Sequence, residues 1–119
     1  MRRFISFAAS VEPDRLAAAK QFTCLLERQL AQGQSGRSIN LDPGLVTLHN
    51  VQLASTKNFA HRLYLGDGIY GEVSLIFENG SFRPLPWTYP DYREAQTLAI
   101  LQEIRQTLME KSHKMVDRY

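Results

Sequence analysis

Two apolar stripes of helical period flank a stretch of shorter period, and this pattern predicts a helix on either side of a set of strands. The first stripe lies in residues 13–31 and consists of Leu16, Ala19, Phe22, Leu26 and Leu30. The second predicts a helix over residues 92–111 and consists of Leu98, Leu101, Ile104 and Leu108. Cys24 lies off the first stripe, and residues 111–119 are expected to form a frayed tail.

Turn signals divide the rest of the chain into strands. Gly66-Asp67-Gly68 and Asn79-Gly80 each predict a hairpin, because these residues tolerate positive φ. Pro84 and Pro86 lack an amide hydrogen, so the strand that carries them belongs at a sheet edge. The expected strands cover residues 3–9, 45–54, 59–65, 69–77 and 81–87.

The order of these elements predicts a single α+β domain over residues 1–119. We expect an antiparallel or mixed sheet of about five strands with two helices packed on one face. Hydrophobic residues make up 44% of the 119-residue chain and charged residues 22%, a balance typical of globular domains.

Composition also excludes some classes of partner. The net charge of +2 lacks the basic excess of a nucleic-acid-binding domain. No apolar run approaches the ~20 residues that span a bilayer, so no membrane association is expected. Cys24 is the single cysteine, which rules out an internal disulfide and fits a reducing compartment such as the cytoplasm.

The two hairpin turns predict a register in which Arg62 faces Glu72 and Tyr64 faces Tyr70, with Trp87 on the other side of Glu72. Strict alternation then assigns one face of the central strand to Ile69, Val73, Leu75 and Phe77 and the other to Tyr70, Glu72, Ser74 and Ile76. This row has two interpretations: a cross-strand ion pair among aromatic neighbours, or a polar, aromatic-lined floor for a ligand.

A second cluster, Ser55-Thr56-Lys57-Asn58 with His61, offers hydroxyl, ammonium and imidazole groups close together in the chain. Such a loop could hold a phosphate or carboxylate, or it could be a solvated bend. Neighbouring strand residues point to opposite faces, so we expect only one of His61 and Arg62 to share a site with Lys57. Arg62 is favoured because its face carries the aromatic residues.

Several familiar sites are absent from the sequence. It contains no G-x-x-x-x-G-K-[ST], no G-x-G-x-x-G and no G-x-S-x-G. His49, His61, His113 and one cysteine do not have zinc-site spacing, and neither a metal nor a cofactor is predicted.

Motifs along nearly the whole chain resemble a known family. They are Asn40-Leu41-Asp42-Pro43-Gly44, Ala54-Ser55-Thr56-Lys57, the run from His61 to Val73, and the run from Pro84 to Arg93. The chain resembles a bacterial and archaeal family of domains of unknown function, some of whose members carry an automatic GTP-binding label. That resemblance implies no mechanism, and no P-loop or Asn-Lys-x-Asp motif supports the label.

Members of that family usually have a further strand and helix before the position of Met1. The resemblance therefore implies an uncovered sheet edge here, which a homodimer or a partner chain would cover.

Three functions follow as hypotheses. The first is a binding domain for a small anionic ligand, a phosphate ester or nucleotide, held by Ser55, Thr56, Lys57, His61 and Arg62 and stacked on Tyr64, Tyr70 and Trp87, with Glu72 in the same row. The second is a hydrolase or transferase that uses Asp42, Glu72 or Asp91 with His61. The third is a structural or assembly protein. The sequence leaves open whether the protein is an enzyme.

Overall fold

A computed structural model describes residues 4–7, 10–32 and 40–116 of the chain. Short 3₁₀ turns at Pro13–Arg15 and Pro90–Tyr92 precede the two α-helices. The helices and strands are α1 (Leu16–Gln32), β1 (Gly44–Val46), β2 (Asn50–Ser55), β3 (Leu63–Gly66), β4 (Ile69–Glu78), β5 (Ser81–Pro84) and α2 (Ala95–Val116). The α+β class, with two helices and a five-stranded antiparallel sheet, is confirmed.

β4 is the central strand, and three other strands pair with it. β2 pairs along one side of β4, while β3 and β5 pair with successive parts of its other side. The second hairpin has the predicted register, with Phe77 paired with Phe82. In the first, Tyr64 pairs with Tyr70 as predicted, but the register shifts between Tyr64 and Gly66, so that Ile69 pairs with Gly66. The turns at Asp67 and Asn79 have positive φ values of 54° and 51°.

A β-bulge at Ser74 interrupts the alternation of β4. Val51 of β2 pairs with Leu75, but the next residue of β2 pairs with Val73, so Ser74 is an extra residue in the ladder. Leu53 pairs with Glu72, and Val51 and Leu53 point to the same face. Leu75 and Glu72 therefore share a face. The predicted assignment, which put them on opposite faces by strict alternation, is wrong.

Two apolar clusters pack against the sheet. One contains Val51, Leu53, Leu75, Phe82, Tyr92 and Leu101, with Leu98 and Ile104 of α2 beside it. The other contains Leu16, Ala54 and Ile69, with Ala17 of α1 beside it. Leu53 and Ala54 are adjacent in β2, so the clusters lie on opposite faces. The helices consequently pack on opposite faces, rather than both on one face as expected.

α1 packs on the sheet through a more polar side than its apolar stripe predicts. Lys20 is buried, and its Nζ lies 3.4 Å from Oδ1 of Asp42. The backbone amide of Leu41 donates to Oε2 of Glu27 at 2.6 Å. Phe22, which belongs to the predicted stripe, is exposed. The side of the helix that packs on the sheet is therefore the side that supplies polar partners to residues 41 and 42.

Four predicted strands differ from the structure. The single strand expected over residues 45–54 is instead two strands, β1 and β2, which pair antiparallel with one another. Residues 4–7 do not belong to a strand of the described chain, and Phe7 is 84% exposed; residues 3, 8 and 9 lie outside the described residues. Residues 59–62 form a turn, in which Arg62 N donates to Phe59 O at 3.0 Å, so β3 begins only at Leu63. β5 ends at Pro84, because proline cannot continue the ladder.

The packing of β4 yields a stability prediction. Leu75 is 0% exposed, so Leu75→Ala should lower the free energy of unfolding by about 2–5 kcal/mol through lost burial and a cavity. Leu63 is 75% exposed, and Leu63→Ala should change it by less than about 0.5 kcal/mol. Urea denaturation of both variants measures the difference, and similar losses would contradict the described core.

Candidate functional site

The candidate site lies at a gap in the edge of β4, which we call the β4 notch and define as Glu72, Val73 and Ser74. β3 pairs with β4 up to Gly71 and β5 from Leu75, so no strand of the described chain pairs with this edge of the notch. Backbone carbonyls left in such a gap require other donors.

Side chains from the turn after β5 supply those donors. Trp87 Nε1 donates to Val73 O at 2.7 Å, and Thr88 Oγ1 donates to Ser74 O. Leu85 N in turn donates to Thr88 Oγ1 at 2.8 Å, which closes the turn. Trp87 was predicted to be a strand neighbour of Glu72. It reaches the notch through its side chain instead, because the strand has already ended at Pro84.

Glu72 is the centre of the notch, and its side chain is 3% exposed. Arg62 Nε donates to Oε1 at 2.9 Å, and Ser74 Oγ donates to Oε2 at 3.2 Å. Arg62 and Glu72 thus form a direct ion pair, but not as the predicted cross-strand pair, because Arg62 precedes β3. Burial makes a carboxylate costly unless it is paired, and here both of its oxygens have donors.

Arg62 connects the notch to the loops around it. Nη1 donates to Ser55 Oγ at 3.2 Å and to Lys57 O at 2.9 Å, and Nη2 donates to Tyr89 OH at 3.0 Å. The planar guanidinium thus fixes the end of β2, the following loop and the segment before α2.

His61 also faces the notch, which corrects the expectation that His61 and Arg62 point to opposite faces. That expectation assumed a strand, whereas residues 59–62 form a turn. His61 Nε2 lies 3.5 Å from Glu72 Oε1, and the imidazole stacks on Trp87 with centroids 4.8 Å apart and an interplanar angle of 12°. Phe59 contacts the ring edge-on at 5.4 Å.

The Nε2 atom of His61 is buried and has no hydrogen-bond partner among the described residues. The 3.5 Å separation from Glu72 is longer than an ordinary N–H···O bond. A buried polar atom in this state is uncommon and calls for an explanation.

A row of side chains extends the notch along the sheet. Ser55 pairs with Tyr70, and Tyr70 pairs with Tyr64, so all three lie on the face of Glu72. The tyrosine rings are 5.2 Å apart, and Tyr64 is exposed. Lys57 is exposed, and its backbone amide donates to Ser55 Oγ at 3.1 Å.

Thr56 and Asp42 are not part of this arrangement. Thr56 lines a cavity of about 360 Å³ between α1 and the β3–β4 turn, together with Gln21, Cys24, Leu25, Arg28, Asp67, Gly68 and Ile69. Asp42 pairs with Lys20 of α1, and Asn40 Nδ2 donates to its Oδ2 at 3.1 Å. Thr56 and Asp42 therefore lie on the α1 side of the sheet, opposite Glu72.

Phe59, Ser74, Thr88 and Tyr89 contribute to the notch but were not among the predicted site residues. Their contacts arise from two turns and a bulge, which carry no hydrophobic period. The sequence signal for the turn after β5 is the pair Pro84 and Pro86, because proline ends a strand.

The chain belongs to the family described as domain of unknown function DUF4416, which it matches over residues 1–108. No curated protein and no solved structure matches the chain significantly. Neither α1 nor α2 has the combination of length and apolar composition that a bilayer-spanning helix requires. Within the described ranges, no group of three or more His, Cys, Asp and Glu residues could hold a metal ion.

The buried ion pair leads to a second stability prediction. Glu72→Gln keeps the side-chain size but leaves Arg62 without its anion, so the free energy of unfolding should fall by about 3 kcal/mol. Glu78 provides the matched control, because its contact with Arg83 is 3.9 Å long and both side chains are about half exposed. Glu78→Gln should cost less than about 1 kcal/mol.

Combining Arg62→Met with Glu72→Gln should cost less than the sum of the two single substitutions, because neither charge then remains unpaired. Chemical denaturation of the four proteins gives the coupling. Additive losses would show that the two side chains do not depend on one another.

Proposed function

We propose that the domain binds a small anionic ligand, a phosphate ester that carries a planar ring, on the open part of the sheet face beside the β4 notch. The main support is Arg62, which is held by Glu72, Ser55, Lys57 O and Tyr89 beside the row of the exposed Tyr64 and the half-buried Tyr70. A cation fixed by several partners has little rotamer entropy left to lose when an anion binds.

The charges around the notch favour an anion. Glu72 and Arg62 neutralise one another, and the exposed Lys57 adds a positive charge next to them. Glu72 itself is too buried to touch a ligand, so its role in this proposal is to hold Arg62 and His61.

Aromatic side chains at the rim suit a planar ring. Tyr64, Trp87, Tyr89 and Phe59 are all exposed, although large aromatic side chains are usually covered. Stacking of a nucleobase on such a side chain is worth roughly 1–3 kcal/mol and tolerates different bases. Tyr70, half-buried between Ser55 and Tyr64, forms the floor.

Binding of nucleoside mono-, di- and triphosphates and of inorganic phosphate, measured by isothermal titration, tests this proposal. Lys57→Ala should weaken nucleotide binding about 10–100-fold, the loss expected for one charge-assisted hydrogen bond. Arg28→Ala is the matched control, because Arg28 is an exposed cation on α1, on the opposite face, and should leave the affinity unchanged.

Two results would contradict the proposal. One is the absence of binding by any of these probes at millimolar concentration. The other is equal weakening by Lys57→Ala and Arg28→Ala, which would indicate non-specific attraction to positive charge.

Exposed apolar residues favour assembly with a second copy as an additional role. β3 is an edge strand whose Leu63, Tyr64 and Leu65 are all exposed, and it carries no charge or proline that would discourage edge pairing. The exposed residues Ile5 and Phe7 are further apolar surface that a second copy could cover.

Light scattering on the purified chain tests this second role. We expect a dimer at micromolar concentration and a monomer for Leu63→Lys, because a lysine on the edge strand opposes pairing. A wild-type monomer would contradict the proposal. A dimer that persists in Leu63→Lys would place the contact away from β3.

A further inference from the structure

We propose that His61 is a catalytic residue, the general base that activates water for attack on the phosphorus of the bound phosphate ester. This inference rests on the proposed function, since it requires that the ester binds beside the notch. In this proposal the buried carboxylate of Glu72 has a separate role, which is to position the imidazole.

The two nitrogens of His61 have different surroundings. Nε2 is buried 3.5 Å from Glu72 Oε1. Nδ1 makes no hydrogen bond among the described residues and keeps some contact with solvent, within a side chain that is 15% exposed. A carboxylate accepts but does not donate, so it favours the neutral tautomer with hydrogen on Nε2. The lone pair then resides on Nδ1, the nitrogen that water can reach.

The imidazole is held in place from three directions. Trp87 stacks on one side of the ring, Phe59 contacts it edge-on, and Glu72 lies at Nε2. Glu72 is fixed in turn by Arg62 and Ser74. A base with one accessible nitrogen and a fixed ring is pre-organised for proton transfer. The long Nε2–Oε1 contact is of the kind that shortens when substrate binds.

The competing bases are less suitable. Glu72 is 3% exposed, and both of its oxygens already accept hydrogen bonds, so water cannot approach it. Asp42 pairs with Lys20 on the other side of the sheet. His61 is therefore the basic group at the notch that has one nitrogen buried beside Glu72 and the other in contact with solvent.

The step balances as a hydrolysis. Nδ1 takes a proton from water while the water oxygen forms a bond to phosphorus. The bond from phosphorus to the leaving oxygen breaks, and that oxygen keeps the electron pair. The protonated His61, or solvent, then returns one proton to the leaving group. The cations Lys57 and Arg62 would stabilise charge on the phosphoryl oxygens.

The experiment measures phosphate release from nucleoside triphosphates and from p-nitrophenyl phosphate, alongside titration of binding with the same compounds. His61→Gln removes the base and keeps a neutral side chain of similar size. It should lower kcat by about 100-fold or more, the usual contribution of a general base, and change the binding constant less than about threefold.

Trp87→Phe tests the positioning of His61 and retains a ring to stack on it. It should lower kcat less than His61→Gln does. In the double variant it should have no additional effect, because residues that act as a unit are non-additive. Circular dichroism and thermal unfolding confirm that each variant folds.

The outcomes separate the two proposals. Nucleotide binding without phosphate release, or release at the wild-type rate by a folded His61→Gln, would overturn the catalytic role and leave the binding function standing. No binding and no release would overturn both. Release that depends on His61, with binding that depends on Lys57, would support both.

Discussion

The surroundings of the site depend on one constraint: the backbone carbonyls at the interrupted edge of β4 must find hydrogen-bond donors. Where β3 and β5 leave residues 72–74 without a neighbouring strand, the carbonyls of Val73 and Ser74 accept from Trp87 and Thr88. Those donors can reach the edge only if the chain turns sharply after Pro84 and passes over the notch before α2 begins. The same turn brings Trp87 against His61 and Tyr89 against Arg62.

The bulge at Ser74 has a matching effect on side chains. Without the extra residue, Glu72 would point to the face opposite Leu75 and the apolar cluster that packs beside α2. With it, Glu72 lies on that face, where the turn after β5 covers it. A carboxylate so buried must be paired, and Arg62 and Ser74 provide the partners. Bulges often redirect side chains at functional sites.

Local turn chemistry made part of this arrangement predictable. The Gly66-Asp67-Gly68 and Asn79-Gly80 turns determine two registers, and from these follow the Tyr64–Tyr70 and Phe77–Phe82 pairs. The bulge, the turn at residues 59–62 and the polar packing side of α1 were not predictable, because each is decided by partners distant in sequence. Lys20 is buried because Asp42 lies against it, and no periodicity within α1 reveals that.

The burial of Glu72 also limits how a ligand could use Arg62. A ligand that withdrew the guanidinium from Glu72 would leave a carboxylate unpaired in a site where only 3% of the side chain is exposed. The cost of an unpaired buried charge, about 3–5 kcal/mol, exceeds what one new contact with an anion returns. An anion is therefore better accommodated on the side of Arg62 that faces Lys57 and Tyr89, with the Glu72 contact intact. In that position the loop at residues 55–57 and the turn at residues 59–62 would approach the same ligand, which is the geometry that both the binding and the catalytic proposals require.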